Sequence, residues 1–174
     1  MRSSTPVIVR LLLNQFVMSI FGTMLTMSTI TVSDTVCAVA SVIPIFLYFF
    51  LIYNTMWDKG ARDVISSQHT HKNTFGSGFV TAIFAAIPTI VLTVCFSVIT
   101  EHMTNINNFA NILYSFSKLI LSLGLQGMYY GIANLYDYHF VVYIIAIFPA
   151  VIVGGVAYML GYKNIRIIPE KKKQ

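Results

Sequence analysis

Long apolar runs, separated by a few charged clusters, constrain this chain more than any other feature of its sequence. Four runs have the length of about 20 mostly apolar residues that a helix needs to cross a bilayer. They occupy residues 7–30, 35–57, 78–100 and 140–162. The runs are too long for strands and do not alternate with a period of two, and lipid offers unpaired backbone groups no partners. The pattern therefore predicts an all-α integral membrane helical bundle with four clear spans.

The composition argues against an ordinary water-soluble domain. Hydrophobic residues make up 56% of the 174 residues and charged residues only 10%, whereas about a quarter of a soluble domain is charged. The length suits a single membrane domain over residues 1–174, without a separate soluble domain. The net charge of +5 does not indicate a nucleic-acid partner, because the cations flank apolar runs. The lipid bilayer is the expected partner.

The basic residues predict an orientation for the helices. Ten of the eleven Lys and Arg residues fall near the N-terminus, in a loop expected at 58–73, or in a basic tail at 163–174. The positive-inside rule assigns such clusters to the cytoplasm. We therefore expect a multi-pass protein of a bacterial cell membrane with both termini in the cytoplasm. The acids between the clusters would lie outside: Asp34, Glu101 and Asp137.

A fifth segment, 109–136, allows several arrangements. One helical face of it is polar and the opposite face is apolar. The polar face holds Asn111, Ser115, Lys118, Ser122, Gln126 and Tyr129. Glycines then interrupt the segment at Gly124, Gly127 and Gly131. It is either a spanning helix or a re-entrant or interfacial hairpin bent at the glycines. If the 58–73 loop and the basic tail are both cytoplasmic, the chain between them crosses the membrane an even number of times. The runs 78–100 and 140–162 already supply two crossings, which favours the hairpin.

Lys118 is the strongest single functional candidate in the sequence. On the spanning alternative it lies nine residues past Phe109, which is about 14 Å along a helix. A cation at that depth costs roughly 2.5–3.5 kcal/mol on insertion scales and needs a partner, for which Glu101, Asp137 and Asp34 are candidates. On the interfacial alternative its ammonium group reaches water and has no special role.

The first apolar run carries a polar stripe at helical spacing. Its members are Arg10, Asn14, Gln15, Ser19, Gly22, Thr23 and Thr26. Such a stripe faces other helices or water and not lipid. It either holds the helices together or lines a ligand or proton pathway, in which Asn14 and Gln15 would join Lys118, Gln126, Glu101 and Asp137.

Three prolines lie near the middle of apolar runs, and no catalytic motif is present. Pro44, Pro88 and Pro149 each remove a backbone donor, so each is expected to kink its helix. Acid and histidine residues adjoin in Glu101-His102 and Asp137-x-His139. They motivate an intramembrane enzyme as an alternative function, although their spacing predicts no metal site and no cofactor.

One motif carries a resemblance to other proteins. It reads Tyr53-Asn54-x-x-Trp57-Asp58-x-Gly60-x-x-Asp63, before a polar loop and a helix centred on proline. The middle third of the chain thereby resembles a group of uncharacterised small bacterial integral membrane proteins, and this resemblance implies no activity.

The polar stripes, prolines and Lys118 together predict a permease component or an accessory subunit of a membrane assembly. An intramembrane enzyme and a structural or regulatory partner protein are the alternatives. Another membrane protein subunit is a possible partner.

Overall fold

The helices dominate the structure, a computed structural model that describes residues 5–70, 76–103, 112, 125–136 and 140–165. Within these residues, side chains are described except at 67–70, 96–103, 140 and 143. The helices are α1 (Thr5–Thr29), α2 (Asp34–Thr70), α3 (Ser77–Met103), α4 (Tyr130–Leu135), α5 (Phe140–Ile145) and α6 (Ile147–Tyr162). A 3-10 turn at Gly127–Tyr129 precedes α4, and no strand occurs in the described ranges. The all-α class predicted from the sequence is confirmed.

Three of these helices are long and apolar enough to cross a membrane, which indicates an integral membrane protein. They are α1, α2 over Asp34–Ser66, and α3 over Ser77–Cys95. The fourth predicted span, 140–162, divides at Ala146 into α5 and α6, although Ala146 keeps helical backbone angles and its N–H still donates to the carbonyl oxygen of Val142. Pro149 has no N–H to donate to the carbonyl group of Ile145, which weakens the helix at this point. The 16 residues of α6 are shorter than a full span, so four clear spans are not confirmed.

The second helix continues well beyond its predicted end at Trp57. A polar loop was expected at 58–73, but α2 extends to Thr70. Packing against α6 stabilises this extension: Gly60 lies against the carbonyl oxygen of Tyr158, and Gly161 lies against that of Trp57. A helix of 37 residues is about 55 Å long, much more than the hydrocarbon thickness of about 30 Å.

The helices define two ends of the bundle, named here by residues of α2. At the Trp57 end, the indole Nε1 of Trp57 donates a 2.8 Å hydrogen bond to the carbonyl oxygen of Ile165. At the Asp34 end, Asn134 Nδ2 donates a 2.7 Å hydrogen bond to Asp34 Oδ1. Helices α2 and α6 both run toward the Trp57 end, while α1 and α3 run away from it.

The described part of the fifth segment lies inside the bundle, between α1 and α2. The backbone of Met128 lies against Gly22, and Gly131 lies against the carbonyl oxygen of Cys37. Residues 125–136 therefore extend from the middle of the bundle to the Asp34 end. They form a bend, a 3-10 turn and a short helix instead of one continuous helix. Whether the segment crosses the membrane depends on 104–111 and 113–124, outside the described residues.

The outer surface of the bundle is apolar, unlike the surface of a water-soluble protein. Large apolar side chains point outward, including Met24, Phe46 and Phe148 with exposed fractions of 69%, 71% and 62%. Small hydroxyl side chains are buried beside an apolar core that includes Met56 and Met128. The buried hydroxyl side chains include Ser19, Thr23, Thr26, Ser41, Thr81, Thr89 and Thr93. Lipid around the bundle explains this arrangement, since small and polar residues are enriched where membrane helices pack together.

Candidate functional site

The backbone around the bend at Gln126 is stabilised by side chains of the long helices. Gln15 Nε2 donates a 3.0 Å hydrogen bond to the carbonyl oxygen of Leu125. Ser19 Oγ accepts a 2.6 Å hydrogen bond from the N–H of Gly127. Ser41 Oγ accepts a 3.1 Å hydrogen bond from the N–H of Gly131. Because unpaired backbone groups cost several kcal/mol away from water, the bend at this depth depends on these side chains.

The same bend brings two predicted site residues, Gln15 and Gln126, to one face of α3. Gln15 Nε2 donates a 2.8 Å hydrogen bond to Thr89 Oγ1. Gln126 Nε2 donates a 3.5 Å hydrogen bond to Thr93 Oγ1, one helical turn further along α3. With Tyr129, we call these residues the mid-bundle cluster: Gln15, Thr89, Thr93, Gln126 and Tyr129. Polar groups thus join α1, α3 and the fifth segment at half height.

A cavity of about 40 Å³ lies beside this cluster. Its polar wall consists of Gln15, Tyr48, Thr89, Gln126 and Tyr129, and the remaining described lining is largely apolar. Tyr129 is only 8% exposed, and its hydroxyl group has no hydrogen-bond partner among the described residues. A buried hydroxyl group costs free energy when it is left unpaired. The cavity is therefore suited to a small molecule that can hydrogen-bond to Tyr129.

A second polar cluster lies at the Trp57 end and joins α2, α3 and α6. Lys59 Nζ pairs with Asp63 Oδ2 at 2.9 Å and lies 3.4 Å from Ser77 Oγ. Asp63 Oδ2 also lies 3.2 Å from Ser77 Oγ and 3.0 Å from the Tyr158 hydroxyl oxygen. The hydroxyl groups of Ser77 and Tyr158 are 2.8 Å apart. We call these four residues the end network.

Charge and burial make the end network unusual. The side chain of Lys59 is 8% exposed and that of Asp63 is 27% exposed. The ammonium group of Lys59 also lies 5.1 Å from the centre of the Tyr158 ring, within the range of a cation–π interaction. Lysine side chains are rarely this buried unless they are paired, so the end network is a second candidate site, at one end of the bundle.

Sequence reasoning missed the end network. Lys59 belonged to the basic cluster of an expected loop, and Tyr158 belonged to an apolar run. The spacing of Lys59 and Asp63 was a usable signal, because residues four apart on a helix are neighbours. Their contacts with Ser77 and Tyr158 depend on helix packing, so no local sequence pattern indicates them.

The other predicted site residues do not join the mid-bundle cluster. Asn14 turns toward α2, where its Nδ2 lies 3.4 Å from Thr55 Oγ1. Glu101 lies on α3, but its side chain is outside the described residues, as are all of Lys118 and Asp137. The side chains of the acid–histidine pairs Glu101-His102 and Asp137-x-His139 likewise lie outside the described residues. The ligand pathway built on these residues stays a prediction.

The fold and the two polar clusters indicate a helical membrane protein with polar clusters inside a partly apolar bundle. The chain matches no protein-family model, no curated protein and no solved structure.

Proposed function

We propose that this protein is a permease component that conducts a small polar solute through the mid-bundle cavity. The observation that carries the proposal is a cavity with one polar wall directly beside a bend in the backbone. Discontinuous helices that place backbone and side-chain polar groups at mid-depth are typical of substrate sites in membrane transporters.

The height of the cavity supports this function. Gln15 lies ten residues after the start of α1 at Thr5, which corresponds to about 15 Å along the helix axis. A hydrocarbon core is about 30 Å thick. The cluster therefore lies close to the bilayer midplane if α1 crosses the membrane upright. A solute that leaves water must lose most of its hydration at this depth, and polar side chains offset that loss.

The proposal includes the four-crossing topology in a bacterial cell membrane with both termini in the cytoplasm. It is supported by the helix directions, since α1 starts at the Trp57 end and α6 finishes there. Lys163 and Lys59 also lie near this end, as the positive-inside rule requires of the cytoplasmic side.

An accessory subunit of a larger membrane assembly is the second candidate. An apolar groove of about 410 Å³ between α3 and the α5–α6 pair favours it. Ile83, Ile90, Val94 and Phe148 line this groove and are all well exposed. A helix of another membrane protein would bury them, and the two proteins would then purify together at a fixed ratio.

The permease proposal is tested by reconstituting the purified chain into liposomes. We expect faster permeation than in protein-free liposomes for at least one of four probes: water, ammonia, urea and glycerol. Ala85 lines the cavity and is 8% exposed, so Ala85→Leu should obstruct it and reduce permeation several-fold. Val91→Leu is the matched control, because Val91 is on the same helix and is 53% exposed. Folded protein that accelerates none of the probes would disprove the proposal.

A further inference from the structure

We infer that the mid-bundle cavity binds a neutral molecule of about the size of water that both donates and accepts hydrogen bonds. Water and ammonia share this chemistry. The inference rests on the proposed permease function, whose solute class it specifies.

The size of the cavity limits the occupant. One water needs about 10–15 Å³ of a cavity measured with a water-sized probe. A cavity of about 40 Å³ therefore holds a few water-sized molecules at most. Sites for larger organic ligands occupy about 300–1,000 Å³. We therefore expect urea and glycerol, which are larger than water, to be excluded.

The hydrogen-bonding groups of the wall require an occupant with both a donor and an acceptor. Gln15 uses both amide hydrogens, on Thr89 and on the Leu125 carbonyl oxygen, so its Oε1 remains as an acceptor. Thr89 Oγ1 accepts from Gln15, which leaves its hydroxyl hydrogen to donate. The Tyr129 hydroxyl can serve in either role. Water and ammonia satisfy such a set, whereas an alkylammonium ion has no acceptor.

The remaining wall disfavours an ion. No described residue that lines the cavity is charged, and the apolar part includes Leu11, Ile52 and Ala82. The nearest end-network member along α2, Lys59, already has Asp63 as its counterion. Moving an ion out of water into apolar surroundings costs far more than moving a neutral molecule. The cavity therefore selects for neutral solutes.

Two methionines allow bound water to be measured without any transport assay. Met56 and Met128 line the cavity and are 0% exposed. Met18 is also buried, at 7%, but is not among the residues that line the cavity. X-ray radiolysis of the full chain in detergent forms hydroxyl radicals from ordered internal water. We expect oxidation of Met56 and Met128 to exceed that of Met18 about threefold or more, and Tyr129→Phe to remove most of the excess.

Flux measurements then test selectivity in liposomes. Osmotic shrinkage reports water, alkalinisation of an entrapped pH dye reports ammonia, and urea and K⁺ are the excluded probes. We expect water, ammonia or both to permeate, and Tyr129→Phe to reduce that flux about threefold or more. Tyr136→Phe is the matched control, because Tyr136 is 62% exposed and does not line the cavity. Which neutral probe permeates faster distinguishes water from ammonia as the solute.

The outcomes separate the two proposals. Equal oxidation of Met56, Met128 and Met18 would overturn the binding of a water-sized molecule. Permeation of urea or K⁺ at the rate of water would overturn the inference of a small neutral solute, while the permease proposal would still hold. Selective oxidation of Met56 and Met128 without flux of any probe would support the cavity site and end the permease proposal.

Discussion

The hydroxyl oxygen of Tyr158 lies 3.0 Å from Asp63 Oδ2, although the two residues are on different helices and 95 positions apart. Asp63 thereby contacts α6 directly and, through Ser77, also contacts α3. The ion pair of Lys59 and Asp63 alone would resemble many helical pairs that contribute little at a surface. Burial of Lys59 and the added hydroxyl contacts turn it into a connection among three helices.

Tyr158→Phe should destabilise the protein by about 1–2 kcal/mol. The change keeps the ring and removes the hydroxyl group that contacts Asp63 and Ser77. Each lost hydrogen bond costs about 0.5–1.5 kcal/mol, and interhelical bonds in membranes fall at the low end. The free energy of unfolding is measured by titration with a denaturing detergent. Tyr136→Phe removes an exposed hydroxyl group and should have no effect; equal losses in both variants would contradict this prediction.

Removing one charge of the end network should lower the free energy of unfolding more than removing both. Asp63→Ala leaves the ammonium group of Lys59 buried without its counterion, and such changes typically cost about 3–5 kcal/mol. We expect about 2–3 kcal/mol here, because the Asp63 side chain is 27% exposed. The double variant Lys59→Met with Asp63→Leu should recover most of that loss. The same detergent titration gives both values, and an additive double variant would show that the charges do not interact.

Gly60→Ala should disrupt the contact between α2 and α6. A Cβ atom at Gly60 would overlap the carbonyl oxygen of Tyr158 and lie 2.9 Å from the backbone nitrogen of Tyr162. Backbone atoms cannot rotate away, so we expect a loss of about 1–3 kcal/mol. The matched control is Gly76→Ala, since nothing lies within 4 Å of a Cβ atom there. Thermal melting of both variants checks the prediction, which is wrong if they melt together.

Ser19→Ala should destabilise the bend of the fifth segment. Its Oγ accepts a 2.6 Å hydrogen bond from the buried N–H of Gly127. An unpaired buried donor costs about 1–3 kcal/mol. Ser28→Ala on the same helix removes an exposed hydroxyl group bonded to the Leu25 carbonyl oxygen and should change stability by less than about 0.5 kcal/mol. Hydrogen exchange at Gly127 would rise in the Ser19 variant alone.

Local patterns in the sequence predicted part of the candidate site. The polar stripe of α1 was expected to avoid lipid, and its members from Gln15 to Thr26 are indeed buried. The spacing could not say which helix faces the stripe. Ser19 meets Gly127, more than 100 residues away, and no property of either residue alone indicates the other.

The end of α2 and the division between α5 and α6 could not be predicted, because both depend on contacts between helices. Polar residues after Trp57 are typical of a loop, yet packing of Gly60 against α6 keeps α2 helical to Thr70. Pro149 was expected to kink its helix, and the helix indeed divides at Ala146, within one turn before the proline. Pro44 and Pro88 have the same chemistry and lie within continuous helices. The sequence gives the position of each proline. It does not give the packing that decides whether the helix stays continuous there.

Hydropathy alone indicates a helical membrane protein, because the cost of an unpaired backbone group in lipid applies wherever a long apolar run occurs. Tertiary structure alone decides that Gln15 donates a hydrogen bond to the carbonyl oxygen of Leu125 and that the ammonium group of Lys59 packs against the Tyr158 ring. These contacts depend on the rotation and height of each helix relative to its neighbours. That alignment is set by close packing over whole helices, and a short stretch of sequence does not contain it.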